Sequence, residues 1–444
     1  MAKPAAKQAA RPAIKKATKR EGKTGEDRAP HTAETQPHGP AAAITRRAAD
    51  RLRAGHLWVY RSDIESLTPA PGTAEIAPGA LITITDSRTI PLGTALYSTA
   101  SEIAARLISR EPMQTREHYL QQVRTRLNAA LSLREALAPT SAENNAARLV
   151  FSEADNLPGI IADRYNDLVI LQLLTQGTAQ DDVRRIFIEV IRERLDPGII
   201  IERPDPRIRE LEQLAAPSPA PLFTQSPSPE LTTIFTINGL RFHYDATAGQ
   251  KTGAFLDQRL NYAAAANHAH GTALDICTYQ GGFALHLAQR CREVTGVDAS
   301  RAALEVADRN LDLNPHLAAN VHWIEADAFE LLREYESQGE RYDTIVLDPP
   351  AFAKSRRAVA GALRGYKELN LRALRMLRPG GTLVTCSCSH HVSLEDFTQV
   401  VAAASSDAGR RVQLLEVRGA APDHPAVLTL PETSYLKCLI CRVE

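Results

Sequence analysis

The segment "TCSCSHH" (residues 385–391) carries a suggestive arrangement of reactive side chains. It places Cys386 and Cys388 one residue apart, directly after an apolar run, where a buried strand should give way to a loop. A thiol at such a point can serve as a nucleophile, as part of a metal site, or as a small core residue. His390 and His391 do not complete a second ligand pair at ordinary spacing, so no metal is expected. The residue types alone leave the other two roles open.

A carboxylate precedes this segment by one predicted strand. The segment "LDPPAF" places Asp348 before Pro349 and Pro350, which lack a backbone N–H and restrict φ. The loop should therefore be rigid and should project a carboxylate and carbonyl groups. With Phe352 available to stack, it can clamp a planar base, although two prolines also make an ordinary turn.

Three further acids follow predicted strands and indicate a cofactor site. Asp275 leaves the first strand before "YQGGF", where Gly281 allows the backbone to approach a ligand. Asp298 ends the second strand, where a carboxylate can accept hydrogen bonds from both ribose hydroxyls, and Asp327 ends the third, beside an adenine ring. Because "YQGGF" lacks the three-glycine pattern of a pyrophosphate site, S-adenosylmethionine fits better than a dinucleotide. Any one of these acids could instead be a helix cap.

The elements that must position these residues alternate between strands and helices after residue 245. The strands "TALDI", "EVTGVD", "VHWIEAD", "DTIVLD" and "GTLVTCS" are each followed by a helical segment, which predicts an α/β, Rossmann-like domain. Two late strands, "RVQLLEV" and "SYLKCLICRV", should close a seven-stranded, mostly parallel sheet as an antiparallel edge. Cys438 and Cys441 mimic a redox pair, but positions i and i+3 of a strand point to opposite faces. We expect both to pack in the core.

The chain divides into four predicted regions: a disordered basic tail (1–40), a small β-rich module (41–112), a central α+β domain (113–240) and the Rossmann-like domain (241–444). Short alternating runs predict an all-β fold for the second region. A helix at 114–136 is interpreted as a connector, and "APSPAPLFTQSPSPE" as a surface loop. The first twenty residues carry seven Lys or Arg and no acid. This tail is either a solubilising extension or an electrostatic arm for a polyanion such as RNA.

Composition excludes several classes of protein. A chain of 444 residues with 44% apolar residues can form two or three cores. No apolar stretch approaches the roughly 18 residues that span a bilayer, and no secretory signal is visible, so we predict a cytoplasmic protein without a membrane partner. The six cysteines do not resemble a secreted disulfide framework and are expected to be thiols.

Several motifs together resemble the RlmI-like family, which forms 5-methylcytidine in large-subunit ribosomal RNA. The resemblance covers nearly everything after the tail and rests on "GHLWVY", "SEADNLPGIIADRY", "ERPDPRIRELE", "GQKTGAFLDQR", "DICTYQGGF", "LDPPAFAKS", "RGYKELN", "SCS" and "DHP…YLKCLICRV". It implies a PUA domain, a central RNA-binding domain, and a methyltransferase domain that uses S-adenosylmethionine. It also implies that RNA is the partner. The sequence leaves the oligomeric state open, with a homodimer as one option.

The resemblance also implies site residues. The family's "GQKTGxFLDQR" segment lies against the cofactor, which assigns Gln250, Phe255 and Arg259 to the cofactor site, and Tyr279 belongs to it through the glycine-rich loop. One departure is "DICTYQGGF" where the family more often has "DLFCYTGGF", which is expected to reshape the pocket floor around Cys277.

The family match aligns Cys388 with the cysteine of "SCS", which implies a nucleophile there and a core role for Cys386. In the implied chemistry the thiolate adds to carbon 6 of cytosine and activates carbon 5. Neighbouring parallel strands end at one edge about 5 Å apart, so Asp348 and Cys388 should meet over one substrate. A purine nitrogen methyltransferase also uses Asp-Pro-Pro-aromatic but needs no such cysteine. A non-catalytic RNA-binding factor with a vestigial fold is a further alternative.

Overall fold

The computed structural model describes residues 39–112, 114–247, 254–317, 319–353 and 355–444. Gln250, and the predicted basic tail up to residue 38, lie outside the described residues. The described part folds into three larger β-sheets and one hairpin, with helices packed against them. None of the described helices is long and apolar enough to cross a bilayer.

The first sheet is built from β1 (Ala41–Ile44), β2 (Trp58–Val59), β3 (Ile64–Thr68), β4 (Leu81–Thr85), β5 (Pro91–Tyr97) and β6 (Ala105–Ser109). The strand order is β2-β6-β5-β4-β1-β3. The prediction of an all-β module was wrong in one respect, because helix α1 (Arg46–Arg53) follows β1. Thr45 caps α1 by accepting a hydrogen bond from the Ala48 N–H at 3.3 Å, and Leu52 is buried in the core of this sheet.

The second sheet has the order β11-β10-β9-β8-β7, and its strands are β7 (Ala146–Phe151), β8 (Ile160–Tyr165), β9 (Leu168–Leu173), β10 (Ile199–Glu202) and β11 (Phe223–Thr224). It carries the helices α2 (Arg116–Leu137), α3 (Asp181–Leu195) and α4 (Pro206–Leu211). The interpretation of α2 as a connector was wrong, since Val123 and Leu127 are fully buried in one cluster with Phe187 of α3. The predicted Pro-rich surface loop contains β11, which pairs with β10.

A hairpin of β12 (Thr232–Ile237) and β13 (Leu240–Asp245) joins the second sheet to the rest of the chain. Phe235 and Phe242 of the hairpin share a buried cluster with Tyr165 of β8 and with Leu285, which lies further along the chain. The predicted domain division at residue 240 falls at the turn of this hairpin. The hairpin thus packs on both neighbours, and no solvated linker separates them there.

The third sheet has the predicted seven strands, which are β14 (Thr272–Ile276), β15 (Glu293–Asp298), β16 (Asn320–Glu325), β17 (Tyr342–Leu347), β18 (Leu377–Ser387), β19 (Val412–Arg418) and β20 (Lys437–Val443). Their order is β16-β15-β14-β17-β18-β20-β19. The first five are parallel, and β20 runs antiparallel to both of its neighbours. The predicted α/β fold class is confirmed.

Helices cover both faces of the third sheet: α5 (Arg259–His268), α6 (Gly282–Leu287), α7 (Arg301–Asp312), α8 (Ala328–Gln338), α9 (Val359–Met376) and α10 (Leu394–Asp407). Polar residues at the strand ends start several of them. Ser300 caps α7 by accepting a hydrogen bond from the Ala303 N–H, and Ser393 forms a capping box with Asp396 at the start of α10.

Cys438 and Cys441 are both buried in β20, but they belong to different core clusters. This agrees with the expectation that residues three apart in a strand point to opposite faces. The six cysteines are all thiols, as predicted.

Candidate active site

The carboxyl ends of β14 to β18 surround a cavity of about 700 Å³, a size common for cofactor sites. Strand β14 pairs with both β15 and β17, so the cavity lies where the strand order reverses. Nine of the predicted site residues line it: Phe255, Tyr279, Asp298, Asp327, Asp348, Pro349, Pro350, Phe352 and Cys388. Three others, Arg259, Asp275 and Gly281, lie behind the lining.

The loop after β14 has an unusual backbone. Cys277, Tyr279 and Gly281 all have positive φ, of 64°, 53° and 83°. This conformation costs a non-glycine residue roughly 1–2 kcal/mol, so the surrounding contacts must hold it. One such contact is the Tyr279 N–H, which donates to Asp298 Oδ2 at 2.9 Å. The loop is therefore shaped by the acid at the end of the neighbouring strand.

A side chain at Gly281 would be strained by both the backbone and its surroundings. It precedes α6 in the left-handed region, and a Cβ there would lie 3.1 Å from the Trp323 ring. The same indole ring packs against Gly296 of β15, and a Cβ added at Gly296 would lie 2.5 Å from that ring. Both glycines let the Trp323 ring pack directly beneath the loop.

Asp275 supports the loop from below. It is fully buried, and its Oδ2 accepts hydrogen bonds from Thr278 Oγ1 at 2.6 Å and from the Ala284 N–H at 2.9 Å. Burial raises the pKa of this carboxyl to about 7. Its Oδ1 is buried and accepts no hydrogen bond from the described residues. The predicted contact of Asp275 with the cofactor stays a prediction, whereas its contact with the loop is direct.

Arg259 is buried behind the cavity, where its guanidinium pairs with Asp423 at 3.2 Å. Asp423 also accepts a hydrogen bond from the Arg148 N–H of β7 at 3.0 Å, and its backbone carbonyl accepts one from Arg134 of α2 at 3.0 Å. We call these four residues the Asp423 link. It joins the second sheet to the third, and Arg259 contributes to it from α5.

Asp298 and Asp327 stand at one end of the cavity. Asp298 accepts a second backbone hydrogen bond from the Ser300 N–H at 2.9 Å, and the exposed Asp327 caps α8 through the Phe329 and Glu330 N–H groups. Both acids therefore have the structural role of a cap or turn, yet a carboxylate has about four acceptor positions and keeps capacity for a ligand. Phe329 supplies an apolar wall between them.

Asp348 stands at the other end, half-buried beside the two prolines. Gln258 donates a hydrogen bond to its Oδ2 at 3.0 Å. Burial raises the pKa of Asp348, the charges of Asp257 and Asp275 add to this effect, and the pKa reaches about 8. At neutral pH this carboxyl is mostly protonated and can donate a hydrogen bond to a ligand.

Cys386, in β18, and Cys388, one residue after the end of that strand, occupy different environments. Cys386 is fully buried opposite Cys438 of β20, and burial raises the pKa of its thiol well above the ordinary value. Cys388 lies at the cavity wall, partly exposed, with its Sγ 3.9 Å from the Pro349 carbonyl oxygen, to which it donates. The structure thus places Cys388 and the Asp-Pro-Pro loop side by side.

Phe352 also lines the cavity, and the orientation of its ring is fixed by packing. Its ring packs against Tyr366 and Phe329, with centroid separations of 4.7 Å and 5.9 Å. The predicted stacking on a base therefore uses a ring that is already held by two aromatic neighbours.

Several cavity residues were missed from the sequence. Asp257 and Gln258 face the cavity from the turn before α5, and His390 and Tyr435 line its rim. The Tyr435 hydroxyl donates to Asp257 Oδ2 at 2.5 Å, across 178 positions of the chain. These residues lie within or beside motifs that were quoted, but nothing local in the sequence shows which of them meet. No group of His, Cys, Asp or Glu in the described ranges could hold a metal ion.

Comparisons with known proteins agree with this geometry. The sequence model of a family described as S-adenosylmethionine-dependent methyltransferase matches residues 218–441, and that of a PUA-like domain matches residues 43–110. A protein of Erwinia tasmaniensis named "Ribosomal RNA large subunit methyltransferase I" is 37% identical over 390 residues, which are 87% of this chain and 95% of that protein. A protein of the same name from Klebsiella pneumoniae is 34% identical over 91% of this chain and 98% of its own length.

Among solved structures, a putative S-adenosylmethionine-dependent methyltransferase from Streptococcus mutans has a similar fold. Its TM-score is 0.74 at 20% identity, and the match covers 90% of this chain and 99% of that one. A structure of a putative methyltransferase complexed with SAH gives the same TM-score and identity. The likeness extends over the first sheet, the second sheet and the third.

Proposed function

This chain belongs to the S-adenosylmethionine-dependent methyltransferase family that includes the ribosomal RNA large subunit methyltransferases I, and from this premise we propose that it methylates carbon 5 of a cytidine in large-subunit ribosomal RNA. The observation that carries the proposal is the pairing of Cys388 with the Asp348-Pro349 loop in one cavity. An rRNA substrate also implies a cytoplasmic enzyme.

The cavity fits a positively charged adenosyl cofactor. Four carboxyl groups, Asp298, Asp348, Asp275 and Asp327, raise the pKa of the Cys277 thiol on the cavity wall, after the larger effect of burial. The carboxyl groups of four strand ends therefore converge on one point, and the charge of Asp298 and Asp327 there favours a cationic ligand. Behind this wall, the buried Oδ1 of Asp275 accepts no hydrogen bond from the described residues and adds an unfilled acceptor to the acidic site. When bound, S-adenosylmethionine supplies a methyl group on a positively charged sulfur.

Asp298 would hold the ribose hydroxyls of the cofactor, since its carboxylate lines the cavity and keeps acceptor capacity beyond its two backbone hydrogen bonds. Phe329 and Asp327 would flank the adenine. Tyr279 and Phe255, whose rings lie 4.9 Å apart, would close the same end. The other end then remains for the base, beside Asp348 and Cys388.

On the base side, the Cys388 thiolate would form a bond to carbon 6 of the cytosine, and the electron pair of the ring double bond would shift toward carbon 5. The protonated Asp348 would donate a hydrogen bond to the ring nitrogen that gains negative charge. Carbon 5 would then take up the methyl group that the cofactor supplies, and its proton would pass to water in the open cavity. The electrons of that C–H bond reform the double bond, and the bond to sulfur breaks. The target base must first leave its stack, so an unpaired cytidine should be preferred.

RNA that carries 5-fluorocytidine at the target tests this function. Fluorine does not leave carbon 5 as a proton does, so the sulfur bond should persist and give an adduct that resists denaturant. Cys388→Ala should abolish both the adduct and methylation, while calorimetry shows unchanged cofactor binding. The matched control is Cys386→Ala, which should keep the adduct because that thiol is buried behind the wall. Methylation that survives both substitutions would refute the cysteine mechanism and favour a purine nitrogen as the acceptor.

A further inference from the structure

A buried cation lies directly beside the reactive end of β18. Lys437 begins β20 and pairs with Ser387 in the sheet register, one residue before Cys388. The residue is only 6% exposed, although lysine is almost never buried to that extent without compensating contacts. Burial of the Lys437 ammonium costs desolvation energy, which its contacts must offset.

The contacts of Lys437 fix its ammonium group to the cavity wall. Its Nζ donates to the backbone carbonyl oxygens of Ser389 and Tyr435, both at 2.7 Å. Ser389 follows Cys388 directly, and both Cys388 and Tyr435 line the cavity. The two carbonyl groups take two of the three ammonium protons, but they are neutral and do not balance the charge. The ammonium therefore lies at the residue that follows Cys388, and these two partners do not compensate its charge.

We propose that Lys437 is a positioning residue whose positive charge holds Cys388 as a thiolate before RNA binds. This inference rests on the proposed function, in which Cys388 is the nucleophile. A thiol with an ordinary pKa near 8.5 is only a few per cent ionised at neutral pH, and a nearby cation increases that fraction. The electrostatic effect is reciprocal, because the Cys388 thiolate raises the pKa of Lys437 against the larger lowering effect of burial.

The groups around the pair do not replace this charge. Burial raises the pKa of Tyr435 well above its ordinary value and also raises that of Tyr366, and the Cys388 thiolate adds to both effects. Loss of hydration at the rim lowers the pKa of His390, and the charge of Lys437 lowers it further. All three are neutral near pH 7. Among the described residues, the acids that face these groups are Asp257 beside Tyr435, Glu432 beside His390, and Asp348, and negative charge on them disfavours a thiolate. Lys437, with a pKa of about 8, is mostly charged at that pH and loses its charge above pH 8.

The rate at which iodoacetamide alkylates Cys388, followed by peptide mass spectrometry on the full chain from pH 5 to 10, tests the proposal. The alkylation midpoint of the wild-type protein should lie below 8.5. Lys437→Gln keeps a hydrogen-bond donor but removes the charge, so it should raise the midpoint by about one pH unit and slow alkylation about tenfold at pH 7. Lys437→Arg keeps the charge and should stay within about threefold of wild type.

A Lys437→Gln protein that binds S-adenosylmethionine and has the wild-type pH profile would overturn the proposal, since Lys437 would then only brace the two carbonyl groups. A wild-type midpoint at or above 8.5 would overturn it without any variant, even if Lys437→Gln failed to fold. The proposed function is tested separately by the 5-fluorocytidine adduct of the wild-type protein. Absence of that adduct refutes the nucleophile role, whereas an unshifted midpoint alongside a normal adduct refutes only the role of Lys437.

Discussion

Replacing Asp348 by Asn should stabilise the protein while it inactivates the enzyme. The pKa of this carboxyl is raised from 3.8 to about 8, so the folded state binds a proton that the unfolded chain releases between those values. An acid with a raised folded pKa makes stability fall as pH rises through that window. Asn removes this penalty and can still accept the hydrogen bond from Gln258.

The gain in the free energy of unfolding follows from the width of the pH interval between the two pKa values. About four pH units at about 1.36 kcal/mol each give an upper limit of roughly 5–6 kcal/mol above pH 8. The carboxyl of Asp348 is open to the cavity on one side, so solvent screens part of this energy and we expect about 2 kcal/mol. For a domain of about 200 residues, that gain raises the melting temperature by about 4–8 °C.

Thermal melting of both proteins at pH 5 and pH 8 measures the prediction. The gain should be largest at pH 8 and smaller at pH 5, because only part of the pH interval between the two pKa values has been crossed at pH 5. Methylation should fall about 10²- to 10⁴-fold, because the Asn amide can donate a hydrogen bond but cannot act as an acid toward the ring nitrogen. Asp327→Asn is the matched control, since its carboxyl is exposed and its cap survives the change. An equal gain at both pH values, or none at pH 8, would refute the assignment of a buried, protonated Asp348.

Three further predictions concern the loop and its supports. Asp298→Ala should weaken S-adenosylmethionine binding by about 1.5–3 kcal/mol, or roughly 10- to 150-fold by calorimetry, whereas the exposed Asp308→Ala should not. Gly281→Ala should cost about 1–3 kcal/mol in urea unfolding, because it adds a Cβ at positive φ; a neutral effect would contradict the tight packing. Asp423→Ala should cost about 3–5 kcal/mol, since it leaves the Arg259 charge buried without its partner; a loss below 1 kcal/mol would contradict that role.

The cavity could be located from the sequence because its main residues follow strands. Parallel strands deliver their carboxyl ends to one edge, so Asp298, Asp327, Asp348 and Cys388 converge once the strand pattern is identified. The choice between Cys386 and Cys388 came from a family resemblance, and the structure then places one thiol in the core and the other at the cavity wall. The apolar periodicity and the strand ends are local signals, and they were sufficient to locate the cavity but not to choose between the two cysteines.

The contacts that remained unpredictable join distant segments. The hydrogen bond from Tyr435 to Asp257 and the contact of Lys437 with Ser389 depend on how β20 inserts beside β18, which no local pattern specifies. Helix α2 was misread for a related reason, because its apolar residues mark a buried face without showing which sheet covers it. Asp275 could likewise be placed at a strand end, but not beneath its own loop.

The Asp423 link has a consequence for how such proteins can be recombined. Arg134 and Arg148 come from the middle of the chain, whereas Asp423 and Arg259 come from the methyltransferase domain, and the four groups meet out of water. A chimera that takes the two domains from different relatives keeps the Arg259–Asp423 ion pair, because both residues come from one parent. Each contact across the boundary uses a backbone group on one side, the Arg148 N–H or the Asp423 carbonyl, so it needs Asp423 in one parent and Arg134 in the other but no matched pair of charges. Hybrid genes should therefore tolerate a crossover between the two domains when the parents keep these two residues.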